Sequence, residues 1–350
     1  MGLTSYLWSA APFVAMITVE CTDVGISVIS KAALTKGMSN IVSVVYYNAL
    51  GTLILLPYLI FCRNKQLPLT FSLLWRFFLL GLIGSSGQIV YLTGVKYSSP
   101  TLSSALVNLI PIFTFLLAVI FRMEKLELGR SSSQAKALGA VVAVTGAFVV
   151  TLYKGPSVLM ASSPSNFPQN LHLSDQSKWI IGGFLIVLVC LSSATWNVVQ
   201  AATVKEYPDK MTTVFFYTFF ITIQSLVFSL ILERSPTAWK LKSNVEVAAI
   251  VCTAIFGSLF RIAIHTWCLQ KKGPVYVSMF KPLGIVVAVV LTVIFLGDTL
   301  YLGSVIGSVI IAIGFYTVMW GQAKEKNMVL ENEVSRLESS GQKDPLIPSS

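Results

Sequence analysis

The chain has 350 residues, 55% of them hydrophobic and only 11% charged, with a mean hydropathy of +0.76 and a formal net charge of +10. Soluble domains carry about a quarter charged residues, so this composition excludes a water-facing globular surface and calls for lipid as the solvent. The basic residues are scattered in ones and twos between apolar runs, whereas a nucleic-acid binder gathers them on one patch or stripe, so no nucleic-acid partner is expected.

A bilayer core of about 30 Å takes roughly 20 apolar residues as a helix. The first such stretch, about 10–32, contains Glu20 and Asp23, with Lys31 near its end. No basic segment precedes it, so it is expected to be helix one and not a cleaved signal peptide. Uncharged runs follow at 37–62, 77–95, 97–121 and 137–153, the last at the short end of the spanning range. Residues 154–178 are rich in Ser, Pro and Asn and predict an irregular loop between two halves. Beyond it lie uncharged runs at 179–204 and 211–232. Two apolar stretches with ionisable residues inside them come next, 246–269 (Arg261, His265) and 274–297 (Lys281), and a last uncharged run spans 299–323. Residues 324–350 form a polar tail of mixed charge, helical around 325–338. The expectation is an all-α polytopic membrane protein with ten transmembrane helices.

The two halves resemble each other. A shift of 174 residues aligns 100–129 with 274–303, and ten of the 30 positions are identical. They include Pro100 with Pro274, Ser104 with Ser278 and Leu117 with Leu291, while Glu124 falls on Asp298. After a slip of six, Gly139 and Gly146 meet Gly307 and Gly314. Each half then holds five helices, and because five is odd the second half is inverted, an architecture of secondary transporters with a site near the midplane. Loop charge sets the orientation. With both termini in the cytoplasm, fifteen Lys and Arg fall on the inner side and eight on the outer.

Ionisable residues inside the membrane normally face a cavity or a partner. Glu20 and Asp23 share one face of helix one, at i and i+3, and Arg261 and His265 share one face of helix eight, at i and i+4. With Lys281 they place two acids and two bases in the cytoplasmic half, summing to zero. Two readings stay open: buried ion pairs tying helix one to helices eight and nine, or a substrate site. In the second, Arg261 and Lys281 receive a carboxylate while Glu20 or Asp23 receives an ammonium group or a coupling proton. Histidine titrates near neutrality, so His265 is a candidate relay. Gln88, Tyr91 and Asn108, with Asn48, Asn197 and Gln200, extend the polar set, either lining a path or bonding between helices. Pro111 and Pro282 are expected to break their helices.

No Walker loop, HExxH or GxSxG sequence occurs, and Cys21, Cys62, Cys190, Cys252 and Cys268 lack CxxC or zinc-ligand spacing, so neither an enzyme, a cofactor nor a metal is expected. Ser131–Ser133 after Arg130 are a weak phosphorylation candidate.

The segments GMSNIVSVVYYNALGTLILLP (37–57), KYSSPTLSSALVNLIPIFTFLLAVIFRMEKL (96–126) and KKGPVYVSMFKPLGIVVAVVLTVIFLGDTLYLGSVIG (271–307) resemble plant transporters of the nodulin-21-like, walls-are-thin-related group. This group, also called "usually multiple acids move in and out", lies in the drug/metabolite transporter superfamily and has two EamA-type repeats. The resemblance runs to about residue 322. It implies repeats at 1–153 (helices 1–5) and 179–323 (helices 6–10), a non-cytoplasmic linker at 154–178 and a cytoplasmic tail at 324–350. It also implies export or two-way movement of amino acids, or of auxin and related organic acids. Asp23 stands where the resemblance leads one to expect a neutral residue, usually Asn. The expected function is a carrier of small organic solutes, amino acids first, working by alternating access. The expected substrate residues are Glu20, Asp23, Gln88, Tyr91, Asn108, Arg261, His265 and Lys281. The plasma membrane is preferred over the vacuolar membrane, a homodimer is left open, and a non-transporting receptor or scaffold is the further alternative.

Overall fold

The structure, a computed structural model, describes residues 3–61, 70–98, 100–124, 130–153, 155–159, 176–207, 209–241, 243–291, 293–294 and 300–341. Much of the expected linker, the last residues of the tail and Asp298 lie outside these.

A backbone in hydrocarbon must satisfy its own hydrogen bonds, and helices do so within one segment. The described chain is accordingly helical: α1 (Leu3–Thr35), α2 (Asn40–Phe61), α3 (Phe71–Tyr97), α4 (Pro100–Val107), α5 (Ile110–Ile120) and α6 (Ser131–Leu152) form the first half. The second half contains α7 (Gln176–Glu206), α8 (Lys210–Leu232), α9 (Asn244–Cys252), α10 (Arg261–Lys272), α11 (Pro274–Ser278), α12 (Phe280–Leu291) and α13 (Leu302–Gly341). A π-helical segment, Thr253–Phe260, joins α9 to α10. Among the described residues ten helical spans are long and apolar enough to cross a bilayer; α4 with α5 make the fourth, α9 to α10 the eighth, and α11 with α12 the ninth. The polarity is that of a membrane protein: Phe61, Phe71 and Ile120 are 85%, 82% and 69% exposed, while Gln200, Thr203, Thr218 and Glu246 are buried. The helix of the tenth span runs on to Gly341 without a break, further than the 325–338 expected.

Two short strands were not expected. β1 (Ser157–Leu159) pairs antiparallel with β2 (Leu300–Tyr301). The pairing ties the chain just after the fifth span to the chain just before the tenth, so these two points lie on one face.

Helix packing follows a two-fold exchange of the halves. The fifth and tenth spans (α6, α13) pack on each other, as do the second and seventh (α2, α8) and the fourth and ninth (α5, α11). The third span packs on the sixth as the eighth packs on the first, and the fourth packs on the sixth as the ninth packs on the first. The seam of α6 and α13 is antiparallel and depends on the glycines that the repeat aligned. A Cβ on Gly139 would lie 2.7 Å from Gly314 O, and one on Gly146 would lie 2.7 Å from Ile311 N. Small residues of this kind let membrane helices approach backbone to backbone. Gly139→Val is therefore expected to destabilise the protein by about 1–3 kcal/mol or more through overpacking, read as a lower thermal midpoint in detergent. An unchanged midpoint would show that the seam yields freely.

Candidate functional site

Three irregular helices shape the centre of the bundle. The fourth span breaks between Val107 and Ile110, and Asn108 fills the gap by donating from Nδ2 to Ser104 O (2.7 Å) and Ala105 O (3.3 Å). Pro111 sits in the first turn of α5; it has no N–H for the carbonyl of Val107, the last residue of α4, and its ring crowds that carbonyl, so the break falls one turn before the proline as expected. The ninth span breaks at Met279, three residues before Pro282. In the eighth span the π-segment shifts the backbone pairing, so the Arg261 N–H reaches Phe256 O and Ser258 O. Gly257 O is thereby freed, and the Arg261 side chain takes it up through Nε at 2.9 Å. Pi-helical turns are frequent at functional sites. Here the turn has a definable effect: it tethers the guanidinium at Nε, while Nη1 lies 3.8 Å from Asp23 Oδ2.

Arg261 borders a cavity of about 270 Å³ between the halves, walled by the third and fourth spans on one side and the sixth to ninth on the other. Its charged lining among the described residues is Arg261 and Lys281, with His265 alongside. Gln88 and Asn197 add amides, Ser192 and Ser193 hydroxyls, and Tyr91, Trp196 and Tyr217 an aromatic wall. Arg261 is 39% and Lys281 29% exposed although both lie deep in their spans, because they border this space. Small-molecule sites are concave, largely apolar and carry a few convergent polar groups, with volumes from about 300 Å³ upward. A compact solute is the matching occupant.

Of the eight residues singled out from sequence, Gln88, Tyr91, Arg261, His265 and Lys281 border the cavity, whereas Glu20, Asp23 and Asn108 do not. Asn108 is 3% exposed and occupied within its own span. Glu20 and Asp23 stand behind the cations. Asp23 Oδ2 lies 3.8 Å from Arg261 Nη1 and 3.9 Å from Lys281 Nζ, and Glu20 Oε1 lies 3.6 Å from Lys281 Nζ. Glu20 is buried and its Oε1 lacks a hydrogen-bond partner. Its carboxylate occupies the space where a Cβ on Gly284 would otherwise stand. The three pairs exceed the 2.7–2.9 Å typical of charge-assisted hydrogen bonds. Arg261 and Lys281 are thus neutralised at long range while their donors remain available to the cavity.

His265 Nε2 and Gln88 Oε1 are buried without hydrogen-bond partners, so each has capacity for a ligand. Asn48 and Gln200 serve packing: Ser258 Oγ donates to Asn48 Oδ1 at 3.3 Å, and Gln200 Nε2 donates to Thr266 Oγ1 at 2.6 Å. Ser132 and Ser133 are buried at the start of α6, which closes them to a kinase. Sequence reasoning missed Ser192, Ser193, Trp196 and Tyr217. The first three and Asn197 recur at i, i+1, i+4 and i+5, one face of a helix, and that spacing was a signal available in the sequence.

Two inverted five-helix halves with a polar cavity at their junction are the architecture of a membrane transporter of small solutes. The chain belongs to the EamA-like transporter family, whose profile matches residues 12–152 and again 180–320, once for each half. It is similar to a WAT1-related protein of Arabidopsis thaliana, 48% identical over 321 residues that cover 90% of this chain and 87% of the relative. A second WAT1-related protein of Arabidopsis thaliana is 46% identical over 345 residues, covering 97% and 92%. A protein of known crystal structure superposes with a TM-score of 0.65 over 90% of this chain and 97% of that one, at 14% identity, and shows the fold alone.

Proposed function

We propose that the chain carries small carboxylate-bearing solutes, amino acids first among them, across the plasma membrane with both termini in the cytoplasm. The observation that supports this most is the pairing of Arg261 and Lys281 on one wall of a compact cavity whose other walls are aromatic and amide. Loop charge supports the orientation. Export or two-way movement by alternating access is supported by an asymmetry in the packing. The sixth span packs on the eighth and ninth through α10 and α11, but among the described residues contact of comparable extent is lacking between the first span and its counterparts, the third and fourth. An exchange of these two arrangements would open the cavity on opposite faces.

The cavity also favours a second reading, a plain organic acid with an aromatic ring such as auxin, because the acids stand behind the cations. The two readings part at Asp23. Asp23 does not border the cavity but lies within 4 Å of both cations, so an amino acid's ammonium group depends on its field, and Asp23→Asn is expected to reduce amino-acid flux at least tenfold. An organic acid has no such need, and its flux would persist or rise. Loaded liposomes containing the purified protein give the test: efflux of every labelled amino acid and aromatic acid at the rate of empty liposomes would end the carrier reading. Proton coupling through Glu20 or Asp23 is expected to appear as flux that collapses with protonophore; flux indifferent to a pH gradient rejects it.

A further inference from the structure

A second cavity of about 210 Å³ lies between α1, α2 and the start of the eighth span. Its polar lining consists of Ser30, Asn40, Ser43, Tyr47 and Thr253, and it carries no charge among the described residues. Each of its three walls continues toward the ion cluster. On α1, Ser30 follows Asp23 by two turns. On the eighth span, Thr253 precedes Gly257, whose carbonyl tethers Arg261. On α2, Tyr47 lines the second cavity and its hydroxyl accepts from Nε2 of Gln88, a central-cavity residue, at 3.4 Å. Between the cavities the helices touch: a Cβ on Gly257 would lie 3.2 Å from Ile26 Cδ1.

We propose that this second cavity is a station on the path of the carried solute, and that Tyr47, held by Gln88, is the gate between it and the central site. The inference rests on the carrier reading for its solute but not for its geometry. A station without charge holds a polar solute through neutral donors and acceptors, so binding there is weaker than beside Arg261 and Lys281. Movement from station to site then runs downhill. The Tyr47 hydroxyl accepts one hydrogen bond and keeps its own proton, so it can donate to a carboxylate arriving in the station. Engaging that carboxylate while releasing Gln88 couples arrival to opening. Gln88 lines the central cavity; its Nε2, once released, can donate to the arriving carboxylate, and its unpartnered Oε1 can accept from an ammonium group.

The test measures connectivity apart from flux. A cysteine is placed at Ser192, in the central cavity, in a background with the native cysteines replaced. A membrane-impermeant thiol reagent is added on the face where α1 ends and α2 begins. Tyr47→Ala is expected to raise the modification rate of that cysteine at least tenfold, and Tyr47→Phe by less, because only the bond to Gln88 is lost. Modification of a cysteine at Ser30 is expected to slow as amino acid or aromatic acid is added. Rates unchanged by Tyr47→Ala overturn the gate, and modification at Ser30 indifferent to every solute overturns the station. If no solute moves but Tyr47→Ala still opens the path, the carrier reading fails and the gate stands.

Discussion

Arg261→Ala is expected to lower the apparent affinity for a carboxylate-bearing solute about 10- to 100-fold, with the protein reaching the membrane in normal amount. The size follows from the roughly 1.5–3 kcal/mol that a hydrogen bond to a charged group contributes, at about 1.4 kcal/mol per factor of ten. The guanidinium is fixed by Nε on Gly257 O, and Arg261 borders the cavity. Lys281 stands near both Glu20 and Asp23 and does not replace a planar fork. Arg261→Lys keeps the charge but loses the tether and the two-point geometry, so it should recover only part of the affinity. Concentration dependence of uptake in vesicles, normalised to protein content, decides the matter. Wild-type affinity in Arg261→Ala would remove this residue from the solute site and leave it as the partner of Asp23.

Glu124→Gln combined with Glu325→Gln is expected to destabilise the fold by roughly 3–5 kcal/mol, the usual consequence of leaving one member of a buried ion cluster uncompensated. Lys136→Met should be markedly milder. The Lys136 side chain is 0% exposed, and its Nζ lies 2.5 Å from both Glu124 Oε2 and Glu325 Oε2. Glu124 and Glu325 are 12% and 26% exposed, so water reaches them and not the amine. Removing the lysine leaves two partly hydrated carboxylates and an apolar stem that methionine can replace. Removing the carboxylates leaves a cation with no solvent. The cluster sits where the chain after the fourth span meets α6 and α13, next to the glycine seam. It lies away from the residues that line the cavity and should change the thermal midpoint in detergent far more than solute affinity. Equal midpoints for the double variant and the wild type would contradict this account.

The spans were legible because crossing a bilayer is a demand on a contiguous run. Apolar length, read from one residue to the next, decided where helices such as Asn40–Phe61 and Lys210–Leu232 fall. The inverted repeat was legible for a related reason: Gly139, Gly146, Gly307 and Gly314 repeat along the chain, and the structure shows them meeting backbone to backbone. Proline was a guide as well: α4 ends at Val107 and α11 at Ser278, the residues four before Pro111 and Pro282, whose carbonyls the missing N–H groups leave without that bond. At the first break the Asn108 side chain also takes up carbonyls of the preceding turn.

The site divided differently. That Arg261, Lys281, Glu20 and Asp23 belong together followed from charge neutrality in a medium that tolerates no lone ion, and the sequence alone carried that. Which of them meets a solute did not follow, because it depends on how α1 is rotated against the eighth and ninth spans. Only the tertiary structure turned the bases to the cavity and the acids behind them, gave Trp196 and Tyr217 to its wall, and freed Gly257 O to hold a guanidinium. Hydropathy is a property of neighbours along the chain, whereas the facing of a helix is settled by partners a hundred or more residues away.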